Sequence, residues 1–456
     1  MAPSSRSFTY CDGAPSWNPT TYIADTALHE RAEALLAKDN LQSAIAASFS
    51  LPPPHRDPYV YHAIVSVTLP EVQRVISLGG QNGLHSWYFT AAAAAPPTAL
   101  PPPPRADIDA YLSIFDPRTS TPAAALKTFA SNAKKGSLRA EIAAYLLSKR
   151  YIHPALAPQL AAGKRANRKK KKKPASSDTT ANANANNNNS SSSGGGGGGG
   201  GNSPQIPPNP SLPFHAFAIR ALEFAGPCPS SLLGGHRAHH VLPILMHHFG
   251  CACPSHEALS ILRVLSAGRG VVDMGSGGGY WTFMLRSYGV EVVAVDSMQS
   301  AWRVCWVADT VVGDGVGWLK RRRLANSNSS SSSSKANGRK GEIDPDEPVL
   351  LLVYPIVGGG VAGGAEGDFT RGMMDAYTGD TLAVVGTQNR NGYTGFRGMS
   401  MDEYVERERA ADGWVKVVQV ALPSFPGKDE ALFVFQRGAR APVRDEGVGV
   451  DAGEVS

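Results

Sequence analysis

The chain has little cysteine and no long apolar run. It contains five cysteines in 456 residues, shows no secretory signal pattern, and has no apolar stretch of the roughly eighteen residues that a membrane span needs. A disulfide-based extracellular scaffold and a transmembrane helix are therefore not expected. We expect an intracellular protein, cytoplasmic or nuclear, with 42% hydrophobic residues to form ordinary cores.

The positive net charge comes from one short run. Lys164, Arg165, Arg168 and the five lysines at 169–173 supply eight positive charges, more than the net charge of +6. The rest of the chain is therefore not basic, and a nucleic-acid groove on its folded part is not indicated. The run itself is typical of a nuclear localisation signal or a weak RNA contact, and a solvated flank without function is equally compatible with it.

Low-complexity sequence divides the chain. Residues 174–202 hold polar homopolymers of Asn, Ser and Gly, which cannot bury enough apolar surface to offset the entropy of ordering, so we expect disorder there. A second Ser-rich insert at 326–341 is expected on a surface loop. The predicted organisation is an accessory domain at 1–163, a linker at 164–204, a second domain at 205–438 and a flexible tail at 439–456.

The accessory domain is predicted to be mostly helical. Nothing in it has the spacing of metal ligands or of a catalytic nucleophile, so we expect it to help select a substrate or to bind a partner. Its predicted helices cover residues 26–38, 59–78, 108–115 and 138–151.

A glycine-rich loop carries the clearest chemical signal. It follows the apolar pair Val271-Val272 and precedes a helical stretch and a second apolar strand that ends in an acid. Glycines at such a turn reach positive φ and let a ligand approach the backbone closely, while the next helix presents unpaired N–H groups. We expect a nucleotide-like ligand, and a tight turn without a ligand is the structural alternative.

The spacing of the glycines selects among nucleotides. A dinucleotide fingerprint needs its third glycine three residues after the second, and Tyr280 stands there. The pattern acid-x-Gly-x-Gly-x-Gly instead resembles motif I of the class I S-adenosylmethionine (SAM) dependent methyltransferases. An acid at the strand end also suits the cationic methionine end of SAM. The resemblance implies SAM as the cofactor, with Asp273, Gly275, Gly277 and Gly279 at its methionine portion, Asp296 at its ribose hydroxyls and Asp314 at its adenine amino group.

The remaining strands support the same fold class. Apolar segments alternate with helical ones and end in a predicted antiparallel hairpin, which is similar to the class I methyltransferase order. We therefore predict a Rossmann-like, doubly wound α/β sheet. Three strings, GYWTFMLRSYGV, VYPIVGG and GTQNRNGYTGF, also resemble fungal methyltransferase-like proteins of uncharacterised activity. Beyond the glycine loop, the predicted strands are 290–296, 310–315, 349–353, 381–385, 415–420 and 431–435, with a helix at 401–411.

The methyl acceptor is expected at the carboxyl ends of the fourth and fifth strands, where the strand order reverses. Tyr354 and Asn389 follow these strands and are the predicted catalytic residues; packing on a helix and turn formation are their structural alternatives. The segment Val353-Tyr354-Pro355-Ile356 lacks the Asp/Asn-Pro-Pro pattern of many amino-methylating enzymes, which disfavours adenine or cytosine as acceptor. Protein, small molecule and RNA remain open, and glycines at 358–367 suggest a cover loop.

One group of residues has the composition of a zinc site. Pro243 breaks any single helix through it, and Gly250 resembles a helix cap, so we predict no metal. Two functional alternatives stay open: a catalytically inactive methyltransferase-fold binding protein, and another nucleotide-using enzyme on the same fold. The zinc-type residues are His236, His239, His240, His247, His248, Cys251 and Cys253.

Overall fold

The computed structural model describes most of the chain outside the low-complexity segments. The predicted linker, the basic run, most of the Ser-rich insert, most of the cover loop and most of the tail lie outside the described residues. The described ranges are 17–63, 65–79, 101–118, 120–160, 206–228, 240–329, 344, 346–355, 365–390, 395–396 and 398–442.

The amino-terminal region is helical, as predicted, with one error. The predicted helix at 59–78 is wrong in its first half, where β1 (Tyr61–His62) and β2 (Ser66–Val67) form an antiparallel hairpin. The helix begins only after Thr68, which forms a capping box with Glu71, and Pro70 is compatible with the first helical turn but not with a helix interior. The helices are α1 (Pro19–Ala24), α2 (Thr26–Leu36), α3 (Leu41–Ser48), α4 (Leu69–Ser77), α5 (Arg105–Leu112), α6 (Pro122–Ser131) and α7 (Leu138–Lys149).

A mixed sheet of eight strands forms the centre of the molecule. Its order is β3-β9-β10-β8-β7-β4-β5-β6; strands β4 to β8 pair in parallel, and β10 runs antiparallel to both β8 and β9. The predicted doubly wound α/β sheet and its closing hairpin are confirmed. The strands are β3 (Tyr151–Ile152), β4 (Val271–Met274), β5 (Val292–Asp296), β6 (Val311–Val312), β7 (Val349–Val353), β8 (Thr381–Thr387), β9 (Val415–Ala421) and β10 (Glu430–Gln436).

Helices cover both faces of the sheet, because the central strands are apolar on both sides. One buried cluster contains α8 (Ser211–Ala221), α9 (Val241–Phe249), α10 (His256–Leu265) and α11 (Tyr280–Ser287), together with the amino-terminal helices. The other contains α12 (Gly315–Ser329), α13 (Asp368–Ala376) and α14 (Met401–Glu408). No helix within the described ranges is long and apolar enough to cross a bilayer.

The amino-terminal region is joined to the sheet directly. Strand β3 pairs with β9, with Tyr151 opposite Gln419, and a partly buried ion pair joins Arg150 to Glu257 of α10 at 2.6 Å. Residues on both sides of the predicted linker thus share one core. The domain boundaries themselves stay a prediction, since positions 163 and 205 lie outside the described residues.

The connection between β5 and β6 departs from the alternating pattern. Residues 297–310, all of which the structure describes, form no helix. We refer to this stretch as the crossover segment. It lies against the glycine-rich loop, so it affects the candidate site directly.

Candidate functional site

The loop holds four glycines, and the three that form the motif, Gly275, Gly277 and Gly279, are glycine for different structural reasons. All have positive φ, at 76°, 54° and 78° for Gly275, Gly277 and Gly279. A Cβ atom on Gly277 would lie 2.5 Å from Cζ2 of Trp302, and one on Gly279 would lie 2.4 Å from Cγ2 of Val307. These two glycines are therefore required by packing of the crossover segment. A Cβ on Gly275 would make only an ordinary contact, with the Phe369 ring at 3.7 Å, and Gly275 is the exposed one of the three.

Asp273 lies at the end of β4, fully buried. Its Oδ2 accepts a hydrogen bond of 2.7 Å from Oγ1 of Thr282, while its Oδ1 has no hydrogen-bond partner among the described residues. Burial raises the pKa of this carboxyl from 3.8 to about 7, and the nearby Asp296 charge adds to the increase. The hydroxyl of Ser276, the next polar group along the loop, is also buried without a described partner.

Asp296 ends β5 and ties the glycine loop to the crossover segment. Its Oδ2 accepts from the backbone N–H of Gly277 at 2.8 Å, and its Oδ1 accepts from that of Met298 at 2.6 Å. An ionised carboxylate has about four acceptor positions, so ribose hydroxyls could still bind. Asp296 therefore has a structural role at the carboxyl end of β5, and its ribose role stays a prediction.

Asp314 follows β6 and begins α12. Its Oδ2 accepts from the backbone N–H of Gly317 at 2.6 Å, which is the geometry of a helix N-cap. This bond occupies one carboxylate oxygen. The adenine role predicted for Asp314 stays a prediction, and the capping role is what the structure shows.

Tyr354 follows β7 in the left-handed region, with φ of 54°. Its side chain is 7% exposed and belongs to the buried cluster beneath the amino-terminal region. The Tyr354 hydroxyl donates to Oε1 of Glu430 at 3.0 Å. The tyrosine ring is therefore packed in the core, while its hydroxyl lies beside a carboxylate. Its catalytic role stays a prediction.

Asn389 follows β8 and is nearly buried. Its Nδ2 donates weakly to the carbonyl of Gly427 at 3.4 Å, and its Oδ1 has no hydrogen-bond partner among the described residues. The adjacent Gln388 donates to Asp429 at 2.9 Å and accepts from Gln419 at 3.0 Å. The side-chain oxygen of Gln388 thus accepts a hydrogen bond, whereas that of Asn389 accepts none from a described residue.

Three charged residues at the start of β10 were not predicted from the sequence. Burial raises the pKa of Glu430 to about 7 and that of Asp429 to about 6, and lowers the pKa of Lys428 to about 8. Glu430 is 1% exposed, and its Oε2 has no described hydrogen-bond partner. Because Glu430 pairs with Thr387 across the sheet, it reaches the edge where β7 and β8 end.

The zinc-type residues serve packing where the structure describes them. His247 bonds the Tyr59 hydroxyl at 2.7 Å, the His248 carbonyl accepts from the Trp306 indole, and Cys253 contacts Ser211. Among the described residues, no group of three or more His, Cys, Asp or Glu side chains could hold a metal ion. His236 and His239 lie outside those residues.

The strand order decides the fold family. Read from β6 to β9, the seven strands of the carboxyl-terminal half follow the order 3-2-1-4-5-7-6, with the seventh antiparallel to its neighbours. The chain has the class I methyltransferase fold. Similar solved structures include magnesium protoporphyrin IX methyltransferase of Synechocystis PCC 6803 with bound SAM, at 10% identity over 45% of this chain and 87% of that chain with a TM-score of 0.26. The CcbJ methyltransferase of Streptomyces caelestis is 13% identical over 40% of this chain and 88% of that chain, with a TM-score of 0.25.

No protein-family model and no curated protein matches the chain. Whether this chain can hold SAM therefore depends on the geometry of its own residues. The exposed backbone of Gly275 and the Asp273 oxygen without a described partner fit a cationic methionine end. On the other side of the loop, the Trp302 ring covers Gly277, so the crossover segment forms the wall there.

Proposed function

We propose that the chain is a SAM-dependent methyltransferase that acts on an unidentified acceptor, which is a protein, a small molecule or RNA. One observation carries the proposal. Asp273 and Asp296 lie at the carboxyl ends of two adjacent parallel strands, next to the glycine loop, and Asp273 keeps a buried oxygen without a described partner. A buried acceptor of this kind costs about 1–3 kcal/mol unless a ligand satisfies it. The cationic amino group of SAM is a ligand of the required charge.

The proposed reaction requires the protein mainly to position the acceptor against the cofactor. SAM, when bound, supplies a methyl group that the sulfonium charge already activates, so an aligned acceptor suffices unless it must lose a proton. For a protic acceptor we assign that proton to Oε2 of Glu430, with the Tyr354 hydroxyl fixing the orientation of the carboxylate. The Asn389 Oδ1 would accept from the acceptor's N–H or O–H group.

A SAM-binding protein without transferase activity is the second candidate. It is favoured by the Tyr354 side chain, which lies in the buried core with its hydroxyl bonded to Glu430. The Trp302 ring on Gly277 also gives that glycine a purely structural reason.

Methyl-tritiated SAM separates the candidates. The full chain is incubated with labelled SAM and, separately, total cell protein, total RNA or a small-molecule extract, while calorimetry measures binding of SAM, S-adenosylhomocysteine and NAD. Label transfer to one probe supports the methyltransferase. Binding of SAM or S-adenosylhomocysteine with no transfer to any probe supports the binding protein, and NAD binding without SAM binding contradicts both.

A further inference from the structure

We propose that the amino-terminal region completes the cofactor site, and that Asp57 is a positioning residue that holds the crossover segment on the glycine loop through Arg303. The inference rests on the proposed function, because it concerns how the same SAM site is built.

Arg303 links the two parts of the chain. Its Nη2 donates to Oδ2 of Asp57 at 2.8 Å, with 1% and 6% of the two side chains exposed. The guanidinium also lies 4.2 Å from the ring centroid of Tyr59, within cation–π range. Its backbone N–H donates to the carbonyl of His247 at 2.9 Å. The middle of the crossover segment is therefore held by the charge of Asp57 and the ring of Tyr59 from the amino-terminal region, and by a backbone bond from α9.

Trp306 gives the segment a second attachment. Its indole Nε1 donates to the His248 carbonyl at 2.6 Å, and its ring centroid lies 5.1 Å from that of Trp17 and 4.6 Å from that of Tyr280. Its backbone N–H donates to the carbonyl of Gly278 at 2.8 Å. One residue thus contacts the amino-terminal region, helix α11 and the glycine loop.

The loop side of the segment is in direct contact with the predicted SAM residues. Trp302 covers Gly277, Val307 packs on Gly279, and Met298 donates to Asp296. In a fold where helices usually connect successive parallel strands, this stretch has no helical hydrogen bonds of its own to hold its shape. Its position over the loop therefore depends on attachments such as Asp57–Arg303.

Loss of the Asp57 charge would leave the Arg303 guanidinium buried without its carboxylate, a state that is relieved when the segment moves toward water. Movement would remove the Met298 bond to Asp296 and the Trp302 wall beside Gly277. SAM affinity should fall in proportion to the fraction of molecules with the segment displaced.

Arg269–Asp380 supplies a matched control. This ion pair is equally buried, with side chains 4% and 2% exposed and a distance of 2.6 Å. It lies at the amino end of the parallel strands, before β4 and β8 begin, whereas the glycine loop follows the carboxyl end of β4.

The experiment measures S-adenosylhomocysteine binding to full-length variants by calorimetry, with folding checked by circular dichroism. Asp57→Asn should weaken binding about tenfold, as expected if about one molecule in ten keeps the segment in place. Asp57→Glu should restore most of the affinity, and Asp380→Asn should change it less than about threefold. If Asp57→Asn does not fold, Tyr59→Leu takes its place with the same expected direction; it removes the ring beneath Arg303 together with the hydroxyl that bonds His247.

Equal effects of Asp57→Asn and Asp380→Asn, or no effect of either, would overturn the positioning role while leaving the proposed function intact. Absence of S-adenosylhomocysteine binding to the unmodified chain would instead overturn the proposed function, and this inference with it.

Discussion

At the scale of single residues, the informative groups are buried carboxylates in which one oxygen accepts no hydrogen bond from a described residue. Asp273 and Glu430 both have such an oxygen, judged among the residues that the structure describes. Native proteins pair nearly all buried polar groups, so these two mark places where a ligand or a proton is needed. They lie on the edge where the parallel strands end, and we assign one to the cofactor and the other to the acceptor.

Cofactor affinity should depend on pH through Asp273. Its pKa of about 7 means that the carboxyl is mostly neutral at lower pH and ionised at higher pH. A cationic ligand favours the ionised form, so SAM affinity should rise about tenfold between about pH 6 and pH 8. Calorimetry at both pH values checks this. Asp273→Asn should bind more weakly with no such rise, and an equal rise in that variant would assign the effect to another group.

The acceptor side predicts a separation between binding and turnover. Glu430→Gln should lower methyl transfer by about 100-fold, the range of a lost general base, and leave the SAM dissociation constant within about threefold. Tyr354→Phe and Asn389→Ala should act in the same direction with smaller effects. Glu347→Gln is the control, since burial also raises the pKa of Glu347 but it precedes β7 at the far end. Loss of SAM affinity in Glu430→Gln would remove the assignment.

At the scale of elements, packing of the crossover segment explains two of the three motif glycines. It packs where a helix would otherwise connect β5 and β6, and it brings Trp302 and Val307 onto the backbone. Packing of the crossover segment therefore requires glycine at 277 and 279, whereas Gly275 is the motif glycine that a ligand can approach.

This packing can be measured against a second glycine. Gly279→Ala and Gly289→Ala both place alanine at positive φ, 78° and 76°, which costs about 1–2 kcal/mol. Only at 279 does the new Cβ meet a neighbour, Val307, while at 289 nothing lies within 4 Å. Gly279→Ala should therefore lower the free energy of unfolding by about 1–3 kcal/mol more than Gly289→Ala, as urea titration would show. Equal losses of unfolding free energy in the two variants would mean that Val307 and the crossover segment move away from the new Cβ at no cost.

The sequence predicted the elements with strong periodicity and missed those set by tertiary contacts. The apolar strands at 349–353 and 381–385 and the glycine loop follow from local patterns. Glu430 could not be identified, because only the pairing of β10 with β8 brings it to the strand ends. The Asp57–Arg303 pair joins residues 246 positions apart, and no local pattern indicates it.

At the scale of the whole molecule, the amino-terminal region and the carboxyl-terminal half pack around one shared core. The amino-terminal region adds β3 to the sheet and surrounds the crossover segment with aromatic rings. It therefore lies where it can shape the proposed cofactor site.

The segment at 174–202 should be dispensable for both stability and binding. Its composition offers little apolar surface for contacts, so its deletion should leave the melting temperature and SAM affinity nearly unchanged. Thermal melting and calorimetry of the deletion variant check this. A fall of several degrees in melting temperature would show that the segment contacts a folded part.

SAM binding at the glycine loop is tested most directly by calorimetric titration of Asp296→Ala. The unmodified chain should bind SAM and not NAD, and the variant should lose about 1.5–3 kcal/mol of SAM binding free energy with its circular dichroism intact. Glu291→Ala, which removes an exposed acid just before β5 and so at the opposite end of the same strand, is the control and should bind as the unmodified chain does. Unchanged SAM affinity in Asp296→Ala, or binding of NAD in place of SAM, would contradict a SAM site at this loop.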